Sequence, residues 1–115
     1  MKIAKHWTDV EATDVQMDGA LGVTKRLVQG PADGTPNVAM RVFTLAPGGH
    51  TPYHQHEFEH QNIILQGTGA IRTPDGDIPV QAGATALILP GETHGFVNTG
   101  DGPFSFVCIV PNDYA

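Results

Sequence analysis

Short apolar runs separated by turn-forming residues make up most of this sequence. Residues 37–45 alternate between two faces of a predicted strand, with Val38, Met40 and Val42 on one face and Ala39, Arg41, Phe43 and Leu45 on the other. Further β-prone runs occur at 22–28, 61–65, 70–73, 78–80, 85–89, 94–98 and 104–110. No stretch has a convincing helical period. Roughly nine short strands with closely spaced turns predict an antiparallel sandwich or barrel.

Glycine and proline provide the turns between these strands. The chain has 14 glycines and 9 prolines among 115 residues, yet they form no repeat and no low-complexity tract. Residues 74–77, Pro-Asp-Gly-Asp, have the composition of a hairpin loop, and residues 46–49 are expected to turn the chain. The length suits one domain, so we predict a single all-β domain over residues 1–115.

Three histidines fall within seven residues, at His54, His56 and His60. If residues 54–56 are extended, His54 and His56 project from the same side, because side chains alternate along a strand. The intervening residues could form a turn or bulge that brings His60 back toward them. His94 follows a Pro-Gly turn further along the chain. Imidazoles that converge in this way are typical of a transition-metal site.

The alternative is that these histidines are ordinary surface residues, since His-x-His pairs also occur on exposed strands without a metal. Clustering of four histidines within residues 50–60 favours metal binding. Two histidines are set apart from the candidate ligands. His6 is isolated near the start of the chain and His50 follows a Pro-Gly-Gly turn, so both are interpreted as surface or packing residues.

The net charge limits the kinds of binding partner, and the single cysteine bears on the cellular compartment. The net charge of −6 argues against binding to DNA, RNA or an anionic membrane, because no basic stripe exists. The first residues lack the apolar core of a signal peptide, and no apolar run approaches the ~20 residues needed to span a bilayer. Cys108 has no partner for an internal disulfide. We expect a soluble, cytoplasmic protein.

Two spaced motifs resemble those of the cupins, small β-barrels that hold a metal. The first runs from Gly48 through His54, His56 and the His60 region to Gly67, and the second from Gly83 to Asn98, so the motifs cover about residues 48–67 and 83–98. The resemblance implies a double-stranded β-helix, or jelly-roll barrel. Leu89 stands where the family has proline, which follows one place later and alters only a turn.

The usual acidic ligand of that family is missing from the first motif, since His60 and Gln61 occupy its place. The chain therefore resembles the four-histidine subgroup of small single-domain cupins. That resemblance implies His54, His56, His60 and His94 as metal ligands, with Glu59 as the substitute should His60 point away.

Such a site would be open and would carry the full charge of its metal ion. Four imidazoles around an octahedral ion leave two positions for water, O2 or substrate. Because all four ligands are neutral, the site should favour anionic ligands such as enolates and carboxylates. We predict Mn(II) or Fe(II), although a nitrogen-only ligand set also suits Zn, Ni or Cu.

The resemblance covers both catalytic and non-catalytic proteins, so it does not decide function. The leading hypothesis is a dioxygenase-type oxidoreductase that acts on a small organic molecule. One alternative is a metal-stabilised module that binds or senses a small ligand. Another is a metal-dependent isomerase or lyase, which would need a general base such as Glu57, Glu59 or Glu92. Each of these glutamates also fits a solvated loop.

Further residues are candidates for lining the pocket around the metal. The polar candidates are Gln61 and Asn62. The apolar candidates are Phe96, Phe104, Phe106 and Cys108, and each of these four also fits ordinary core. If His60 faces the barrel interior, Asn62 should face it too and needs a hydrogen-bond partner. The resemblance also suggests a homodimer built on the outer sheet, to which the segment around Trp7 could add a strand.

Overall fold

The computed structural model describes residues 5–115, which form nine strands, three 3-10 turns and, within that range, no α-helix. The strands are β1 Thr13–Asp14, β2 Leu21–Gln29, β3 Val38–His50, β4 His60–Gln66, β5 Thr68–Thr73, β6 Gly76–Gln81, β7 Thr85–Ile88, β8 Gly95–Asn98 and β9 Phe104–Pro111. The turns span Trp7–Asp9, Pro31–Asp33 and Asn112–Tyr114. The predicted all-β class is confirmed. In the described part of the chain, no helix has the length and apolar character needed to cross a membrane.

All strand pairs are antiparallel, and the sheet curls on itself. Its order is β6-β5-β8-β3-β9-β4-β7, with β2 on the free side of β3 and β1 on β2. The long strand β3 pairs with β9 from Val38 to Leu45, whereas its last residue, His50, pairs with Val97 on β8. One strand therefore takes part in both halves of the barrel.

Residues 46–49 bend β3 rather than ending it. The register of β2 against β3 shifts between Val23 and Leu21, which marks an irregularity opposite this segment. Gly48 has a φ of +77°, and a Cβ on Gly49 would lie 2.7 Å from the Leu21 carbonyl oxygen. The expected turn is thus a bend within a strand, because glycines allow the two strands to stay paired at close approach.

A cluster of buried side chains fills one end of the barrel. Its members are Val23, Leu45, Ile64, Ile71, Phe96, Phe104 and Phe106. The rings of Phe96 and Phe106 stack with their centroids 4.1 Å apart. This core lies next to the candidate site, since the Phe96 ring centroid is 6.4 Å from that of His60 and 6.3 Å from that of His94.

Trp7 packs against its own chain. Its ring is half-buried and lies 5.4 Å from the Arg26 guanidinium carbon on β2, and Arg26 Nε donates a hydrogen bond to the Val10 carbonyl. This cation–π contact ties the first described segment to the sheet. The expected addition of a strand across a homodimer remains a prediction.

Candidate metal centre

The four candidate histidines approach the same space from three segments of backbone, namely the loop of residues 51–59, the start of β4 and the residue before β8. His54 and His94 form an isolated antiparallel bridge in which each backbone amide donates to the other residue's carbonyl, at 3.0 and 2.9 Å. His60 opens strand β4. His56 lies in the loop of residues 51–59. The expectation that His54 and His56 share one strand is wrong, since the bridge at His54 is the only strand pairing recorded in this loop.

The four imidazole rings nevertheless form one cluster. The ligand atoms of His54, His56 and His94 all lie within 4.8 Å of one another. His60 joins them through its Nε2 atom, which is 2.9 Å from Nε2 of His94. The other two histidines are engaged elsewhere: His6 caps the turn at Trp7–Asp9, and Nδ1 of His50 contacts the Thr51 carbonyl.

Hydrogen bonds fix which nitrogen each ring presents to the centre of this cluster. Nδ1 of His56 lies 2.7 Å from the Phe58 carbonyl, and Nδ1 of His94 lies 2.8 Å from the Glu92 carbonyl. Nδ1 of His60 lies 2.7 Å from Oδ1 of Asn62. Carbonyl oxygens only accept hydrogen bonds, so each Nδ1 must be the donor and each neutral ring keeps its lone pair on Nε2.

Asn62 is held in the orientation that this arrangement requires. Its Nδ2 donates to the Val107 carbonyl on β9 at 3.0 Å, which turns Oδ1 toward His60. The side chain is buried, with 5 % exposure. The partner that a buried asparagine needs is therefore His60 on one side and the β9 backbone on the other.

The donor set fits a transition-metal ion. Two Nε2 lone pairs 2.9 Å apart, on His60 and His94, repel each other unless a cation lies beside them. Nitrogens bound at right angles to one ion, with bonds of about 2.1 Å, would be separated by about 3 Å. A carbonyl group behind three of the rings is also the usual support for metal-binding histidine.

Burial favours the neutral form of three of these rings, those of His54, His60 and His94. It is the main cause that lowers the pKa of His60 to about 4 and that lowers the pKa values of His54 and His94. Neighbouring histidines add a smaller effect in the same direction, because several positive charges would repel one another. Neutral imidazole is the form that binds metals, so these three rings are ready to bind at neutral pH.

A cavity of about 220 Å³ lies against the histidine cluster. Its walls are Val15, Met17, Val23, Arg41, Phe43, Thr51, Pro52, Phe58, Phe96, Phe106 and Cys108, together with the four histidines. Most of the lining is apolar, and none of these described lining residues is acidic. The cavity could therefore hold a small organic molecule beside a metal ion.

The pocket candidates from the sequence fall into two groups. Phe96, Phe106 and Cys108 line the cavity, and Asn62 supports His60. Gln61 is exposed and lies outside the lining, while Phe104 is fully buried in the core.

The three glutamates considered as general bases are exposed and lie outside the lining. Glu57 accepts a hydrogen bond from the Tyr114 hydroxyl, and Glu92 accepts one from the Leu89 amide. Glu59, the substitute ligand, is likewise exposed.

Sequence reasoning missed Arg41, Phe43 and Phe58 as cavity residues. The alternation of residues 37–45 places Arg41 and Phe43 on one face, and that signal alone could have nominated them. Phe58 stacks on His56 with ring centroids 3.8 Å apart and on Tyr114 at 3.9 Å. The pattern of local residues gives no sign of this stack, because Tyr114 is distant in sequence.

Asn62 offers a test of how the site is supported. We expect Asn62→Leu to weaken binding of added Zn²⁺ or Mn²⁺ by about 10- to 100-fold, because His60 loses the acceptor that fixes its ring. Competition with a chelating dye measures the affinity. Gln61→Leu, a neighbouring change on the exposed face, should leave it unchanged. Equal affinities for Asn62→Leu and the wild type would contradict the role assigned to Asn62.

The sequence and the fold match known proteins. A family model described as "Cupin domain" matches residues 41–110. An oxalate-binding protein of Thermotoga maritima is 33% identical over 67 residues, which cover 57% of this chain and 55% of that protein. A glucose-6-phosphate isomerase of Pyrococcus horikoshii is 41% identical over 56 residues, 44% of this chain and 30% of that protein. The matches thus span about half or less of these curated relatives.

Solved structures give longer matches. The polyketide cyclase RemF from Streptomyces resistomycificus superposes with a TM-score of 0.90 at 34% identity, covering 96% of this chain and 80% of that one. A predicted oxalate decarboxylase from Thermotoga maritima superposes with a TM-score of 0.84 at 22% identity, covering 96% and 99%, and shows the fold alone. With the family model matching more than half of its length, this chain belongs to the cupin family.

Proposed function

We propose that this protein is a metal-dependent enzyme that closes a ring in a small poly-carbonyl compound. The observation that carries the proposal is the apolar cavity whose lining includes four clustered imidazoles. The likeness to a protein named a polyketide cyclase, over nearly the whole chain, supports this reaction class. The substrate would place carbonyl oxygens at the metal and its carbon chain against the aromatic walls.

A divalent ion held by His54, His56, His60 and His94 would supply a Lewis acid for carbonyl oxygens. The protein's own residues contribute orientation. The carbonyl groups behind His56, His60 and His94 keep the Nε2 atoms directed at one point. The stacked rings of Phe96 and Phe106 would exclude water from the cavity. They would also restrict the carbon chain of the substrate to folded conformations, which brings its reacting carbons together.

Ring closure of this type is balanced without an oxidant. A C–H bond next to one carbonyl breaks, a new C–C bond forms to a second carbonyl carbon, and the oxygen of that carbonyl takes up a proton. Loss of water then completes an aldol condensation. The electron count does not change, so Mn(II), Fe(II) and the redox-inactive Zn(II) could all support it. Preference for Mn or Fe stays a prediction.

Three other functions remain as predictions. The isomerase or lyase hypothesis needs a general base, and the relative named a glucose-6-phosphate isomerase is consistent with it. The dioxygenase hypothesis needs Mn or Fe and consumption of O2. The binding-module hypothesis needs tight binding without turnover, and the relative named an oxalate-binding protein is consistent with it. A homodimer is also still proposed. Ile63 and Leu87 on adjacent strands are 41% and 53% exposed on the outer face and would lie within such an interface.

The test uses heptane-2,4,6-trione with the metal-loaded protein. Joining its first and sixth carbons with loss of one water gives 5-methylbenzene-1,3-diol, which absorption and mass spectrometry detect. We expect the protein to accelerate this reaction by about a hundredfold, without O2 uptake at an oxygen electrode. A chelator-treated sample is the matched control.

Other outcomes separate the alternatives. Uptake of O2 in step with loss of the trione would replace the cyclase proposal with the dioxygenase one. Binding of the trione, seen by calorimetry, with no product under any metal would instead favour the binding module.

A further inference from the structure

Arg41 lines the cavity and lies two strands away from Asn62, the residue that supports His60. It pairs with Cys108 on β9, and Cys108 pairs with Asn62 on β4, so the three residues form a row across the inner face of the sheet. Adjacent strands are about 4.8 Å apart, which places the backbones of Arg41 and Asn62 about 10 Å from each other. The side chain of Arg41 belongs to the same cavity lining as the histidines.

Within residues 5–115, the guanidinium of Arg41 contacts no charged side chain. Nη2 donates to Sγ of Cys108 at 3.1 Å, and Nη1 donates to the Tyr114 carbonyl at 3.3 Å. Its central carbon lies 4.9 Å from the centre of the Phe43 ring. Nε is buried and has no hydrogen-bond partner within the described residues. A buried N–H group without an acceptor destabilises the folded protein unless a ligand accepts its hydrogen bond.

The charge of the cavity has the same sign throughout. Arg41 is the cationic side chain of the lining, and the described lining residues include no aspartate or glutamate. Burial raises the pKa of the neighbouring Cys108 thiol, so this group does not neutralise the guanidinium at neutral pH. A planar guanidinium surrounded by apolar walls is suited to bind a carboxylate through two parallel N–H groups.

We propose that Arg41 is a specificity-determining residue that binds a carboxylate of the substrate, at the end of the molecule away from the metal. The substrate is accordingly a free poly-carbonyl acid rather than an ester or a thioester. This inference rests on the proposed function, since it places the ketone oxygens of the same molecule at the histidine cluster.

A purely structural role for Arg41 predicts a different result. Its contacts with Phe43 and the Tyr114 carbonyl could simply hold β3 to the end of the chain. Loss of such contacts would weaken binding of a charged and a neutral ligand alike. Loss of a carboxylate-binding group weakens binding of the charged ligand only. Measuring both ligands therefore distinguishes a structural role of Arg41 from a carboxylate-binding role.

The experiment measures calorimetric affinities of the metal-loaded protein for 3,5-dioxohexanoate and for its methyl ester. Both ligands offer the same 1,3-diketone, and only the first carries a carboxylate. We expect the wild type to bind the acid about 10- to 100-fold more tightly than the ester, the range typical of a charge-assisted hydrogen-bonded pair.

Variants identify the residue responsible. Arg41→Met should remove the preference for the acid while the ester binds as before. Arg41→Lys should keep a part of the preference, because it retains the charge but not the planar fork. Arg72→Gln removes an exposed positive charge on β5, outside the cavity lining, and should behave as the wild type.

The outcomes that overturn this inference differ from those that overturn the proposed function. Equal binding of acid and ester by the wild type refutes the role of Arg41 and leaves cyclisation of the neutral trione untouched. Binding of neither ligand refutes both. Should Arg41→Met not fold, the comparison within the wild type and Arg41→Lys still decides the question.

Discussion

His94→Ala should lose its metal. His94 contacts each of the other three rings of the cluster, as His56 also does, with centroid distances of 5.4 Å to His54, 5.0 Å to His56 and 4.8 Å to His60. Removing only a support behind a ligand costs about 10- to 100-fold in metal affinity, so removing a ligand ring itself should cost more than about a hundredfold. We expect about one ion per wild-type chain and below about a tenth of an ion in the variant after gel filtration.

Elemental analysis of protein purified without chelator gives these ratios. His6→Ala is the matched control, since it removes an exposed histidine that does not belong to the cluster. His94→Gln, which keeps more of the buried volume, tests whether any loss in His94→Ala reflects misfolding, and circular dichroism compares the folds. A variant that stays folded and retains stoichiometric metal would remove His94 from the ligand set.

A melting experiment gives a second measurement on the same proteins. A ligand that binds only the folded state stabilises it by about 2.7 kcal/mol when present at a hundred times its Kd. Added Zn²⁺ should therefore raise the Tm of the chelator-treated wild type and of His6→Ala, and should leave that of His94→Ala unchanged.

Phe104→Ala should unfold the protein at much lower temperature while leaving the site intact. Phe104 is fully buried, and its ring centroid lies 5.7 Å from that of Phe106. The ring packs so closely on Gly69 that a Cβ there would lie 2.6 Å from Phe104 Cζ. Gly69 has no side chain that could fill the cavity left by the ring. The truncation should therefore lower the free energy of unfolding by about 3–5 kcal/mol, which corresponds to roughly 10–25 °C in Tm.

Tyr53→Ala is the control for this truncation. Tyr53 is 50% exposed and lies outside the cavity lining, so its loss should change stability by about 0.5 kcal/mol or less. Below its Tm, Phe104→Ala should still bind one metal ion. Loss of ligand affinity at unchanged stability would instead make Phe104 a cavity residue, as the sequence alone allowed.

The sequence predicted the all-β class and named the four histidines that cluster. Both follow from local information. Alternation over residues 37–45 and frequent glycine and proline are properties of neighbouring residues, and they specify strands and turns directly. Both cupin motifs, at about residues 48–67 and 83–98, lie within residues 41–110, which the family model matches.

Whether a side chain on the inner face of a strand lines the cavity or lies in the core could not be predicted in the same way. Phe104, Phe106 and Cys108 share one face of β9, yet Phe106 and Cys108 line the cavity while Phe104 lies in the core below it. Alternation indicates which side chains share a face. It does not indicate where along that face the sheet closes, because closure depends on the curvature of the whole barrel.

By itself, then, the sequence determined most of the strands, several of their turns and which four histidines cluster, since short-range periodicity and residue chemistry suffice for these. Only the tertiary structure decided that His54 bridges to His94 rather than sharing a strand with His56, and that Arg41 joins their cavity. Those outcomes depend on pairing between segments tens of residues apart, where the energy of one contact depends on how every other strand is placed.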